Sequence, residues 1–68
     1  MSVKINEIVS EMKAQNITDD DMAKALGIDR TTWDRRKDNP KKFKIGEVQI
    51  IKEVLNLPNY KAAYIFLN

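Results

Sequence analysis

From Arg30 to Lys37 the chain carries a single apolar residue, Trp33. Asp29 before the segment is a helix cap and Asn39-Pro40 after it is a helix stop, so the segment reads as a helix. It has no apolar stripe to bury. Such a helix is held through its one indole and shows the rest of its surface to solvent or to a partner. The hydrophobic core has to come from other segments, and in 68 residues that core is thin and needs nearly every remaining apolar side chain.

The chain contains no cysteine and no histidine. Disulfide frameworks, thiolate chemistry and the common zinc sites are therefore excluded. No apolar run approaches the roughly 20 residues of a membrane span, and the first residues lack the basic-then-apolar layout of a signal peptide. The expectation is one cytoplasmic domain over residues 1–68, with no membrane association. Met1 and the small size fit a complete product. Asp19, Asp20 and Asp21 are adjacent, so they do not share one helix face as metal ligands would. A cap and the helix dipole account for them. Without His, Cys or a glycine-rich phosphate loop, neither catalysis nor a cofactor is expected.

The overall charge of +2 hides a segregation. Met1 to Asp29 has three lysines against six carboxylates, a net −3. Arg30 to Lys44 has seven cations against Asp34 and Asp38, a net +5, and the remainder is neutral. A basic block in a near-neutral chain reads either as a polyanion-binding face or as a solvated loop.

Apolar spacing predicts the other elements. Ile5, Ile8, Val9 and Met12 form one amphipathic stripe, with Ser2 a candidate cap and Asn16-Ile17 the end. Thr18 with Asp21 resembles a capping box, and three Asp at that start complement the dipole. A second helix follows, burying Met22, Ala23 and Leu26 and stopping at Gly27, which can take the left-handed conformation. After the Arg30–Lys37 helix comes a basic loop that Phe43 pins to the core. A fourth helix runs from about Ile45 to about Asn56. It buries Val48, Ile51 and Leu55, and Ile50 and Val54 widen its apolar face. Beyond Pro58 the tail fits a short helix with Tyr60, Tyr64 and Leu67 on one side, although Tyr64 and Phe66 also fit strand alternation.

Two short helices joined at a glycine, the second narrow and basic, make a helix-turn-helix of about residues 18–38. Ala23 allows a close crossing, Ile28 plugs the space beneath the turn, and Trp33 faces inward. Arg30, Thr31, Asp34 and Arg35 then face outward, as a row that can enter a major groove.

The stretch TDDDMAKALGIDRTTWDRRKDN resembles the Cro and lambda-repressor-like helix-turn-helix family. Met22-Ala23, Leu26-Gly27-Ile28, Asp29 and Trp33 stand at its pattern positions. FKIGEVQIIKEVLNLP resembles the family's fourth helix, including Glu47, Ile51 and Leu55, and RRKDNPKKF looks like small phage and prophage regulators. The resemblance spans about Thr18 to Leu57. It implies an all-α, compact four- or five-helix lambda-repressor-like DNA-binding domain. It further implies a sequence-specific regulator of double-stranded DNA, a Cro-like repressor.

By that resemblance Arg30 and Thr31 read base edges, Arg35 reaches a base or a phosphate, and Lys41, Lys42 and Lys44 lie along the phosphate backbone. Thr18 is a cap first and a phosphate contact second. Arg36 either contacts phosphate or lies with its stem over apolar surface. Asp34 either reads cytosine or pairs within its helix. Asp19 stands where the family often has Gln, so the second helix sits further from DNA or Asp19 accepts from a cytosine amino group. Lys37 and Asn39 replace the usual Glu and Gly, leaving the exit turn open.

The implied partner is an operator, bound by a homodimer. Ile50, Val54, Tyr60, Tyr64 and Phe66 are candidates for the dimer contact or for the core. The competing reading is a protein-interaction module, such as an antirepressor or antitoxin of the same fold, using the acidic first half.

Overall fold

The computed structural model describes residues 3–67. Among these the chain forms five α-helices and one 3₁₀ turn, with no strand: α1 Ile5–Ala14, α2 Asp19–Leu26, α3 Arg30–Asp38, the turn Pro40–Lys42, α4 Ile45–Val54 and α5 Asn59–Phe66. The all-α expectation holds, and the tail is helix rather than strand. The candidate cap Ser2 lies outside the described residues. Lys4 precedes α1 with no side-chain cap bond.

Three of the joints share one construction. α1, α2 and α4 each end in a residue of positive φ, namely Asn16 (58°), Gly27 (70°) and Asn56 (51°). In each case the next residue is aliphatic. The N–H groups of Ile17, Ile28 and Leu57 donate back to the carbonyls of Met12, Ala23 and Lys52 at 2.8, 3.0 and 3.0 Å. This is the Schellman closure, in which the left-handed residue turns the chain and the following apolar one is tucked beneath the helix end. All three aliphatic residues pack in or against the core. The next helix then starts from Thr18, Asp29 or Pro58.

The local start signals form as expected. The Thr18 hydroxyl accepts the Asp21 N–H while the Asp21 carboxylate accepts the Thr18 N–H, both at 3.0 Å. Asp29 accepts the Thr32 N–H at 2.7 Å.

The core gathers Ile8, Met12, Met22, Ala23, Trp33, Ile51, Leu55, Leu57, Ile65 and Phe66. α2 packs on α3 and α4, and α1 on α5. The first segment is tied down by the Lys4 N–H, which donates to the Ile65 carbonyl at 2.9 Å. Leu26, Val48 and Val54 are only partly buried.

The expected face of α5 needs correction. Tyr60 and Leu67 are 78% and 71% exposed, and Tyr64 is more than half exposed, with the Lys4 ammonium 5.0 Å from its ring centre. The buried face is Ala62, Ile65 and Phe66. These residues share the i, i+3, i+4 spacing and carry no hydroxyl that burial would have to satisfy. Phe66 is therefore core. No helix among the described residues is long and apolar enough to cross a membrane.

Candidate nucleic-acid interface

Trp33 is fully buried and sets the rotation of α3 about its own axis. Its indole packs beside Phe43, with ring centres 6.0 Å apart, which fastens the basic loop to the same anchor. The indole N–H donates to Asp19 Oδ1 at 2.7 Å. Asp19 is the first residue of α2, so this bond locks α2 and α3 together.

With about 100° per residue around a helix, the positions of α3 sort by their angle from Trp33. Arg30, Asp34 and Lys37 fall on one flank, toward the start of α2. Arg36 falls on the other flank, toward α4. Thr31, Arg35 and Asp38 fall on the far side, and all three are exposed.

The flanking cations are paired. Arg30 donates to Asp34 at 3.2 Å and Asp20 at 3.0 Å, and it stands 3.4 Å from Asp19. Lys37 Nζ donates to Asp19 at 3.0 Å, lies 3.5 Å from Asp34 and sits 5.9 Å from the Trp33 ring centre. Donation from the Trp33 indole holds the Asp19 carboxyl below its ordinary range, aided by Lys37 and Arg30 and opposed by partial burial.

Arg36 turns toward α4. Its guanidinium makes a two-pronged contact with Glu47 at 3.1 and 3.3 Å, and only 18% of its side chain is exposed. Glu47 also accepts the Lys44 N–H at 2.9 Å. Burial pushes the Glu47 carboxyl up, but the Arg36 and Lys44 hydrogen bonds outweigh it and leave the group below its ordinary value.

Asp34 is engaged within its own helix by Arg30 and Lys37. The three consecutive Asp diverge. Asp21 turns back to cap, Asp20 goes to Arg30, and Asp19 goes to the indole and Lys37. The Thr18 hydroxyl caps α2, as expected.

Arg35, Lys41, Lys42 and Lys44 are exposed. Among the described residues no carboxylate comes within 4 Å of their cationic groups. Arg35 and Lys42 line one open groove with Arg36, Asp38 and Asn39. The end of α3 and the 3₁₀ turn set this arrangement: the Asn39 N–H closes α3 on the Arg35 carbonyl at 2.9 Å, and the Lys42 and Phe43 N–H groups close the turn on the Asn39 and Pro40 carbonyls at 3.0 and 3.2 Å.

The sequence reading overlooked Asp20 and Glu47 as partners of the basic helix. The opposite charges of Met1–Asp29 and Arg30–Lys44 pointed toward Asp20, whereas Glu47 lies in the neutral remainder and had no such signal. Comparisons with known proteins find no match: no family model, no curated protein and no solved structure matches the chain.

Proposed function

We propose that this chain is a sequence-specific, double-stranded DNA-binding transcriptional regulator, a Cro-like cytoplasmic repressor that sets the open side of α3 in the major groove. One observation carries the reading: within the basic block, the cations with no carboxylate within 4 Å are those at the outer edge of α3 and its exit loop, where Arg35 and Lys42 share a groove. Thr31 and Arg35 project from the side of α3 opposite its anchor and reach base edges. Arg35 is suited to the paired acceptors of guanine, a contact worth about 1–3 kcal/mol of discrimination. Lys41, Lys42 and Lys44 follow the phosphates, supplying affinity without sequence information. The Thr18 hydroxyl, which accepts a bond as a cap, keeps its own proton to donate to a phosphate.

One copy presents one α3. A second copy on a dyad operator, with half-sites about 34 Å apart, doubles the contacts. The exposed Tyr60 and Leu67 of the α5 segment offer apolar surface for that pairing.

The test is selection of bound duplexes from a random pool, followed by a salt titration. The reading expects an enriched motif with dyad symmetry. It also expects affinity that falls with log salt, a slope shallower by about 0.9 in Lys42→Ala, and loss of motif preference in Arg35→Ala. Binding indifferent to salt, or no enrichment, overturns it.

A second reading, a protein-interaction module such as an antirepressor or antitoxin, is favoured by a different surface. Phe43, Ile45, Val48, Phe66 and Leu67 line an apolar groove whose rim residue Ile45 is 81% exposed. Partner capture that survives Arg35→Ala but is lost in Ile45→Asp, without any duplex binding, would support this reading over the first.

A further inference from the structure

The basic block has more cations than it shows. Arg30 and Lys37 lie in it, yet each is held by carboxylates that its own fold supplies. Arg30 meets Asp19, Asp20 and Asp34 at 3.4, 3.0 and 3.2 Å. Lys37 meets Asp19 and Asp34 at 3.0 and 3.5 Å. An isolated surface pair of this kind is weak and screened by salt. This network differs because Asp19 is fixed by the buried Trp33 indole N–H at 2.7 Å. Its carboxylate cannot swing away when a phosphate approaches, and the two cations are attached to the same helix as that indole. A phosphate must therefore displace a carboxylate already in place, or meet its repulsion.

We infer that Asp19, Asp20 and Asp34 mask Arg30 and Lys37 from polyanions, so that α3 contacts DNA through its outer side alone and sequence-independent attraction is kept low. The inference rests on the DNA-binding reading and assigns the acidic start of α2 a part in specificity. Non-specific affinity scales with the number of phosphates that cations neutralise. Removing the mask then raises affinity, whereas damage to the fold lowers it.

The test compares wild type with Asp19→Asn/Asp20→Asn for binding to a fluorescent random-sequence duplex across a salt series. Asn at position 19 still offers an oxygen to the indole, and Trp33 fluorescence verifies the fold. The expected result is random-duplex affinity higher by about fivefold near 0.1 M salt, with a slope steeper by up to about 0.9 for each cation freed. Glu53→Gln, which removes a charge but releases no cation, gives less than twofold. Adding Arg30→Ala to the double variant removes most of the gain, while Arg30→Ala alone changes little.

A double variant that binds random duplex no better than wild type overturns the masking, as does a gain that persists without Arg30 or is matched by Glu53→Gln. A wild-type chain that shows no salt-dependent duplex binding at all overturns the DNA reading, and the masking falls with it.

Discussion

Arg36 and Glu47 form a two-pronged ion pair, at 3.1 and 3.3 Å, between α3 and α4, with their side chains 18% and 11% exposed. The same carboxylate accepts the Lys44 N–H at the end of the basic loop. One acidic side chain thus ties together the helix that carries the open face, the loop beside it and the helix behind it. Every buried side-chain polar atom among the described residues has a partner, so the pair leaves nothing unsatisfied.

Glu47→Gln keeps an acceptor for the Lys44 N–H but leaves the Arg36 guanidinium without a counter-charge in a half-dry site. Breaking such a pair from one side is expected to cost about 3–5 kcal/mol. Replacing both partners, Arg36→Met with Glu47→Leu, is expected to recover most of that loss. Urea denaturation of the two variants checks the prediction. A cost below about 1 kcal/mol for Glu47→Gln would place the pair with ordinary surface contacts.

Acid is expected to destabilise the fold in a defined window. Asp19 and Glu47 both have folded-state pKa values held below their ordinary ones. Asp21 and Asp29 shift the same way through their cap bonds with Thr18 and Thr32. Depressed carboxyl groups contribute stability that is full above their unfolded values, about 4, and is lost as pH falls through the folded values. The melting temperature is therefore expected to be level from pH 7 to pH 5 and to drop below about pH 4. A Glu47→Gln chain that still folds should show a shallower drop.

Trp33 serves as both core and latch, and the two roles separate by substitution. Trp33→Phe keeps a ring but removes the N–H that Asp19 accepts, and is expected to cost about 1–3 kcal/mol. Trp33→Ala empties the centre and is expected to cost about 3–5 kcal/mol. A cycle with Asp19→Ala, which removes the acceptor, reads the coupling, since that substitution should matter less once the indole N–H is gone. A small, additive effect in thermal melts would deny the latch.

The helix joints give a backbone test. At Gly27, φ is +70° and an added Cβ would meet no atom within 4 Å. Gly27→Ala should therefore cost about 1–2 kcal/mol from conformation alone. Asn56 has the same handedness at φ +51°, and Asn56→Gly should be neutral within about 0.5 kcal/mol. Melting temperatures of the two variants should diverge accordingly.

Much of the fold was legible because it is locally encoded. The Thr18–Asp21 box, the Asp29 cap, the Gly27 stop and the lone Trp33 on a polar helix each involve residues within a few positions of one another. The geometry of the caps and the stop follows from backbone sterics and one or two short-range hydrogen bonds. The apolar spacing likewise marked Ile8, Met12, Met22, Ile51 and Leu55 as inward.

Three outcomes were decided only when the helices met. Arg30 and Arg36 belong to the same basic segment, yet one was drawn to the acidic start of α2 and the other to Glu47 on α4. In the last helix, Ile65 and Phe66 rather than the tyrosines were turned inward. Periodicity states the angle of a side chain around its own helix. Whether a carboxylate, an aliphatic surface or water stands at that angle depends on how the neighbouring helices pack, and with it which cations of the basic block remain open to a partner.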